Sequence, residues 1–217
     1  MKERPIIFSS EMIRAVLDNK KSQTRRPIKP QPELDVCRGW WWRGKCYGIV
    51  ASLYGNKFPV AKLIQDMRTA CPYQIGDILW VKQTCKYYGY AGGIILVDKA
   101  GRTWRPNDFL LQDVRVKFAD KYRNRWCPAI FMPKWASRIT LEITDIRVEQ
   151  IQDISEEDAI VEGVDGALFA DDGSPDYILA FRYLWDSIWA KKGFGWDTNC
   201  WVWVIEFRGI KDGMDKR

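Results

Sequence analysis

Residues 137–148 constrain the fold of this chain more than any other stretch. Ile139, Leu141 and Ile143 alternate with Arg138, Thr140 and Glu142, the two-residue period of a strand with one buried face. The alternation then slips, because Ile146 and Val148 are apolar on the other parity. One extra residue at Thr144-Asp145, a bulge, accounts for the slip and bends the strand. Trp201, Trp203, Ile205 and Phe207 alternate again near the end of the chain. Gly76-Asp77 followed by Ile78-Leu79-Trp80-Val81-Lys82 reads as a turn into a buried strand. Three such strands commit the chain to a sheet, and 217 residues give either one large domain or a small one with a long insertion.

Helices are signalled at three places. Ser9 and Ser10 are cap residues, Glu11 sits in a first turn, and Met12, Ile13, Val16 and Leu17 share one face. Asn19 tolerates the left-handed conformation that ends such a helix. Ser155 caps a second helix with Glu156, Glu157 and Asp158 in its positive first turn, and Gly163 stops it. Glu162 then falls in the last turn, where the helix dipole disfavours a carboxylate. Ser174-Pro175 reads as cap and first position of a third helix, whose stripe is Ile178, Phe181, Trp185 and Ile188. The expectation is strands at 77–82, 138–148 and 200–208 in one sheet system, with helices near 10–18, 155–162 and 175–190.

Elsewhere order is harder to read. Pro27, Pro30 and Pro32 oppose regular structure, and residues 31–70 show little periodicity. Residues 87–93 read as a ring-rich loop, Ile94 to Val97 as a short strand, and 128–133 as a proline-limited edge strand or loop. Asp171-Asp172-Gly173 reads as a turn, and the charged tail after Gly209 as frayed.

Composition narrows the chemistry. The chain has no histidine and 6 cysteines, none of them in a CxxC pair, so a Cys-His zinc site is excluded and no metal or cofactor is expected. Acid-base work falls to Lys, Glu, Asp, Tyr or Cys. No signal peptide and no bilayer-spanning stretch is expected, which places the chain, with reduced thiols, in a cytoplasm. A net charge of +6 and a pI near 9.0 favour an anionic partner, while serving solubility equally well.

The densest polar chemistry is Asn19-Lys20-Lys21-Ser22-Gln23-Thr24-Arg25-Arg26. It reads as one wall of a site for a phosphate-bearing or nucleobase-bearing ligand, with Lys20, Ser22, Arg25 and Arg26 as binding residues. Two basic-aromatic segments read as further contacts: residues 40–45, with Trp41 and Arg43, and residues 115–126, with Arg123 and Arg125. Rings beside cations suit base stacking and phosphate contact. Tryptophans also cover core faces, but three in a row cannot all point inward from one strand.

The order of these features resembles the ASCH superfamily, whose fold is a PUA-like β-barrel. The resemblance covers residues 5–29, 75–83 and 137–208 and is closest to prophage-type members. It implies an α+β class: a mixed barrel with flanking helices, one domain over 1–217, and insertions at about 31–71 and 85–135. The 19–26 run and the 155–162 helix are similar to motifs of the small bacterial acetylcytidine amidohydrolase. A lysine, a threonine three residues later and a glutamate on a later helix are the proposed catalytic set there. Residue by residue these fall on Lys21, Thr24 and Glu162. Two departures matter: Asn19 stands where the family has glycine, and Gln83 stands where related chains carry a glutamate.

Three functions follow as expectations. One is a metal-independent hydrolase of an acylated nucleobase or nucleoside, in which Lys21 activates the Thr24 hydroxyl and Glu162 positions the lysine. Another is a module that binds RNA or single-stranded DNA without turnover, with ribonuclease action as a variant. The third is a phage-derived protein that grips a host protein through its tryptophan-rich insertions.

Overall fold

The computed structural model describes residues 1–35, 39–47, 60–90, 93–105, 121–122, 125–164, 168–169 and 173–210. The elements run in order β1 (Glu3–Ile7), α1 (Ser10–Leu17), β2 (Gln23–Pro27), β3 (Glu33–Asp35), β4 (Gly39–Trp42) and β5 (Lys45–Tyr47). Then come α2 (Val60–Thr69), β6 (Ile78–Lys82), β7 (Cys85–Tyr90), β8 (Gly93–Asp98) and β9 (Thr103–Trp104). The last are β10 (Thr140–Gln150), α3 (Glu156–Val161), α4 (Tyr177–Trp189) and β11 (Trp201–Gly209). The class is mixed α+β. None of the described helices is long and apolar enough to cross a membrane.

The chain divides into two compact units. One comprises Met1–Asn19, Ile75–Ile143 and the chain from Phe207; the other comprises Lys20–Gln74 and Thr144–Glu206. In the first unit β1 lies parallel to β6, and β6 lies antiparallel to β10 with Leu79 opposite Leu141. Buried Asp77 precedes β6 and ties down the start of the chain, accepting from the Lys2 amide at 2.8 Å and from Arg4 Nε at 3.0 Å. The Ser9 hydroxyl accepts from the Met12 amide and caps α1, and Asn19 has a φ of 56° at its far end. A hairpin of β7 and β8 with β9 beside it closes a small core of Cys85, Tyr87, Leu96, Cys127, Met132 and Ala136.

In the second unit the strand order is β10-β11-β2, and β2 runs antiparallel to β11 with Arg25 opposite Val204 and Thr24 opposite Ile205. Val202 and Val204 share a core with Ile151, Ile154 and Ala159 and with Phe181 and Trp185 of α4. Each large side chain buried there contributes about 1.5–3 kcal/mol. Trp203 alternates to the opposite side, where its indole donates to the Met67 carbonyl of α2 at 2.8 Å. Beside this sheet, β3, β4 and β5 form a small antiparallel sheet of their own.

Burial along β10 changes parity where the alternation in the sequence slips. Leu141 and Ile143 are buried, Thr144 is exposed, and Ile146 is the next buried residue. One unit gives way to the other at the same point.

Four local expectations are corrected. Residues 31–70 hold three short strands and helix α2, whose Leu63 and Met67 are buried one turn apart. Of the loop expected at 87–93, residues 87–90 belong to strand β7 and Gly93 to β8, because hairpin pairing supplies the backbone hydrogen bonds that the glycine-rich sequence obscures. Residues 129–131 and 134–136 are single 3-10 turns. The cap of α4 is Asp176, not Ser174: the Asp176 carboxylate accepts from the Leu179 amide at 2.7 Å, and Pro175 bridges to Phe169 instead. The turn at Asp171-Asp172 and the tail beyond residue 210 lie outside the described residues.

Candidate functional site

The end of α3 and the start of β2 meet as a short antiparallel bridge. Lys21 pairs with Glu162, and the Ser22 amide donates to the Val161 carbonyl at 2.9 Å. That backbone contact sets the side chains. Lys21 Nζ donates at 2.7 Å to Glu162 Oε2 and at 2.7 Å to the Glu162 carbonyl. The lysine therefore pairs the carboxylate and also satisfies a carbonyl at the helix end. A carboxylate opposed by the helix dipole is offset by a cation lying against it.

Further along β2, Gln23 and Arg25 fall on the same side as Lys21. Gln23 Nε2 donates to the Asp158 carbonyl at 2.8 Å. Arg25 Nη1 reaches Glu162 Oε1 at 3.2 Å, while Nη2 reaches Glu149 Oε1 at 2.5 Å and Asp158 Oδ2 at 2.7 Å. Arg147 continues the network, donating to Asp158 Oδ2 at 2.9 Å and to Glu206. The guanidinium carbon of Arg25 lies 5.7 Å from the centre of the Phe181 ring.

Burial makes these contacts consequential. Lys21 is 3% exposed, Arg25 2% and Glu162 3%. Charges so buried persist only when paired and hydrogen-bonded, and removal of one partner costs about 3–5 kcal/mol. Burial pushes the Lys21 ammonium below its ordinary lysine range; Glu162 opposes the push, and Arg26 and Arg25 add to it. Burial also works against the Arg25 charge, but Glu162 and Glu149 outweigh it and hold the guanidinium more firmly protonated than usual. Asp158 is raised by burial and lowered more strongly by Arg25 and Arg147, so its carboxyl stays below the ordinary range.

Thr24 takes the other face of β2, with Gln23 and Arg25 on either side of it in sequence. It is 1% exposed, and its hydroxyl has no hydrogen-bond partner among the described residues. The structure thus joins Lys21 directly to Glu162 and turns Thr24 away from both.

No family model matches the sequence, and no curated protein matches it. Among solved structures the chain is similar to the ASCH domain from Lactobacillus crispatus JV V101, at 12% identity and a TM-score of 0.38, over 96% of this chain and 79% of that one.

The remaining expected binding residues are dispersed. Lys20 and Ser22 are exposed beside the bridge, and Arg26 is half-buried with Nη1 donating to the Arg25 carbonyl at 3.3 Å. Trp41 and Arg43 line an open groove of about 680 Å³ with Pro30, Gln31, Glu33 and Asp35. At the β4–β5 turn Arg43 has a φ of 49°, and its guanidinium carbon lies 4.6 Å from the centre of the Trp42 ring. Arg125 is exposed in the other unit, and Arg123 lies outside the described residues. Among the described residues no cluster of three or more Cys, Asp or Glu is placed to hold a metal ion.

Arg147, Glu149 and Asp158 were not anticipated as members of this site, and Gln23 was read only as part of the 19–26 run, with no role of its own. Their signal is in the sequence. Gln23 and Arg25 stand two apart on one strand, Arg147 and Glu149 two apart on another, and Asp158 and Glu162 four apart on a helix. Each spacing puts two polar groups on one face.

Proposed function

We propose that this chain is an ASCH-type protein directed at a nucleobase or nucleoside, with the Lys21–Glu162 pair at its polar centre. In its fuller form the proposal is metal-independent hydrolysis of an acylated nucleobase. The pairing of Lys21 with Glu162, 141 residues apart, carries the reading, since the ASCH resemblance singles out these two positions. A lysine with lowered proton affinity is a usable base below the ordinary lysine range, so activity should rise with pH. In the reaction Lys21 takes the proton of an attacking hydroxyl, whose oxygen bonds to the acyl carbon. The carbon–nitrogen bond then breaks, and the departing exocyclic amine receives the proton from Lys21. Glu162 stabilises the ammonium in between. Thr24 is the hydroxyl that the resemblance designates. Its acyl ester is then attacked by water, which gives a proton to Lys21, and as the ester bond breaks Lys21 returns that proton to the threonine oxygen and the free acid leaves.

One observation favours a second reading, which is binding of RNA or single-stranded DNA without turnover. Thr24 alternates away from the face that carries Gln23 and Arg25, so an attack assisted by Lys21 needs the strand to twist between them. In this second reading the buried pair anchors the start of β2, and the exposed Lys20 and the Trp41–Arg43 groove make the contacts.

The test is turnover of acylated cytidine nucleosides by the wild type and by Lys21→Ala, Thr24→Ala and Glu162→Ala. Loss of most activity in each single variant, with little further loss in double variants, supports a joint catalytic unit. Full activity in Thr24→Ala excludes it as nucleophile. Absence of turnover, with binding of single strands that weakens steeply as salt rises, selects the second reading.

A further inference from the structure

We propose that Arg25 is a positioning residue: it takes one oxygen of Glu162, leaves the other to Lys21, and so sets how readily Lys21 gives up its proton. The inference rests on the reading of Lys21 as a base, and it adds a residue that the ASCH resemblance does not designate.

The geometry is a shared carboxylate. Glu162 Oε2 accepts from Lys21 at 2.7 Å, and Oε1 accepts from Arg25 Nη1 at 3.2 Å. A carboxylate divided between two cations cannot turn both oxygens to either one. Arg25 is itself fixed. Its Nη2 is held by Glu149 of β10 and Asp158 of α3, and Phe181 of α4 lies against its guanidinium. Three elements therefore converge on one planar fork, which a lysine with its single nitrogen cannot replace.

Among the described residues, the charged groups that act most on Lys21 are Glu162 at the end of α3 and Arg25 and Arg26 on β2. Behind Arg25 stand Asp158 on α3, Glu149 and Arg147 on β10, and Glu206 on β11. Loss of Arg25 removes a like charge from the neighbourhood of Lys21 and also releases Glu162 to pair with Lys21 alone. Both changes favour the ammonium. Loss of the Glu162 charge favours the neutral amine.

The experiment labels lysine Cε with carbon-13 in the full chain and follows Lys21 by NMR across pH, with the signal assigned from Lys21→Arg. Arg25→Gln should raise the Lys21 midpoint by about one pH unit, since a like charge is removed nearby and the carboxylate is no longer shared. Glu162→Gln should lower it. Arg25→Lys keeps the charge without the fork and should raise it by a smaller amount. Shifts of opposite sign from two destabilising substitutions are not what loosened packing produces. Where Arg25→Gln does not fold, Arg25→Lys decides. A Lys21 midpoint that stays put or falls in the folded Arg25 variants overturns the proposal. Turnover of acylated cytidine is measured alongside: shifted midpoints without turnover support the positioning role while removing the hydrolase reading.

Discussion

Glu162→Ala isolates the energetics of the buried pair. The substitution leaves the Lys21 ammonium beneath the end of α3 on the backbone carbonyl of residue 162 but without its carboxylate, while Arg25 keeps Asp158 and Glu149. A buried lysine escapes that penalty by losing its proton. An ordinary lysine pKa of about 10.4 lies roughly 3.4 units above pH 7, and at about 1.36 kcal/mol per unit neutralisation costs about 4.6 kcal/mol. That figure caps the destabilisation from the stranded charge at pH 7 and is a large share of a stability of about 5–15 kcal/mol. The pH dependence follows by linkage. A lysine that is neutral in the folded variant and charged in the unfolded one gives stability that is fully present above the unfolded pKa and lost as pH falls. The variant should therefore gain on the wild type by up to about 1.4 kcal/mol per unit from pH 7 towards pH 10. Urea unfolding followed by far-UV circular dichroism at pH 7, 8 and 9 measures this. A loss below about 1 kcal/mol at pH 7 that stays flat with pH would mean Lys21 is solvated in the variant, and the argument from burial would fail.

Three further outcomes are expected. Trp41→Ala should weaken single-stranded RNA binding about tenfold, in line with about 1–3 kcal/mol per stacked base; filter binding at fixed salt checks this, and unchanged affinity removes the groove from the interface. Among the described cysteines Cys46 is exposed, whereas burial pushes the Cys85 thiol up to about 12, so Cys46 should be alkylated at neutral pH well before Cys85, as peptide mapping will read. The Asp158 carboxyl, raised by burial but held low by Arg25 and Arg147, contributes stability above the ordinary aspartate pKa of about 3.9 that is lost as pH falls through its lower folded value; Asp158→Asn should flatten that acid limb in a thermal-melt series.

Legibility followed locality. The strands β6, β10 and β11 and the helices α1, α3 and α4 are written in short-range signals, namely two-residue alternation, a capping serine and a terminating glycine. What was missed depends on partners distant in sequence. Trp40-Trp41-Trp42 shows no alternation because β4 is central in a small sheet with Trp41 half-buried and Trp42 buried. The strand at 85–90 is hidden by its tyrosines and glycine until β8 pairs with it. In the site the Lys21–Glu162 contact was legible only through the ASCH resemblance, since no local rule joins residues 141 apart. The Arg25 fork was missed because its charge suggested an anionic ligand, whereas three carboxylates of the same chain occupy it.

The network also explains how so short a helix persists. Helix α3 has six residues, too few to be stable alone in water, and Ala159 is its only fully buried apolar side chain. Hydrophobic packing by one small residue cannot hold it. Ionic contacts stand at both its ends instead: Asp158 to Arg25 and Arg147, and Glu162 to Lys21 and Arg25. Its three first-turn acids suit the positive end of the dipole, and Lys21 suits the negative end. The same contacts that fix α3 therefore fix the orientation of Glu162. It follows that α3 and the proton affinity of Lys21 should respond together: any variant that frays α3 frees the Glu162 carboxylate from its division between the two cations. Ser155→Ala provides the mildest such change, because the Ser155 hydroxyl accepts from the Asp158 amide at 3.2 Å and loss of a cap costs about 1 kcal/mol. Hydrogen exchange at the amides of residues 159–162 should quicken in that variant, and the Lys21 midpoint should move with it. Faster exchange with an unmoved midpoint would show that Glu162 is held by its neighbours independently of the helix.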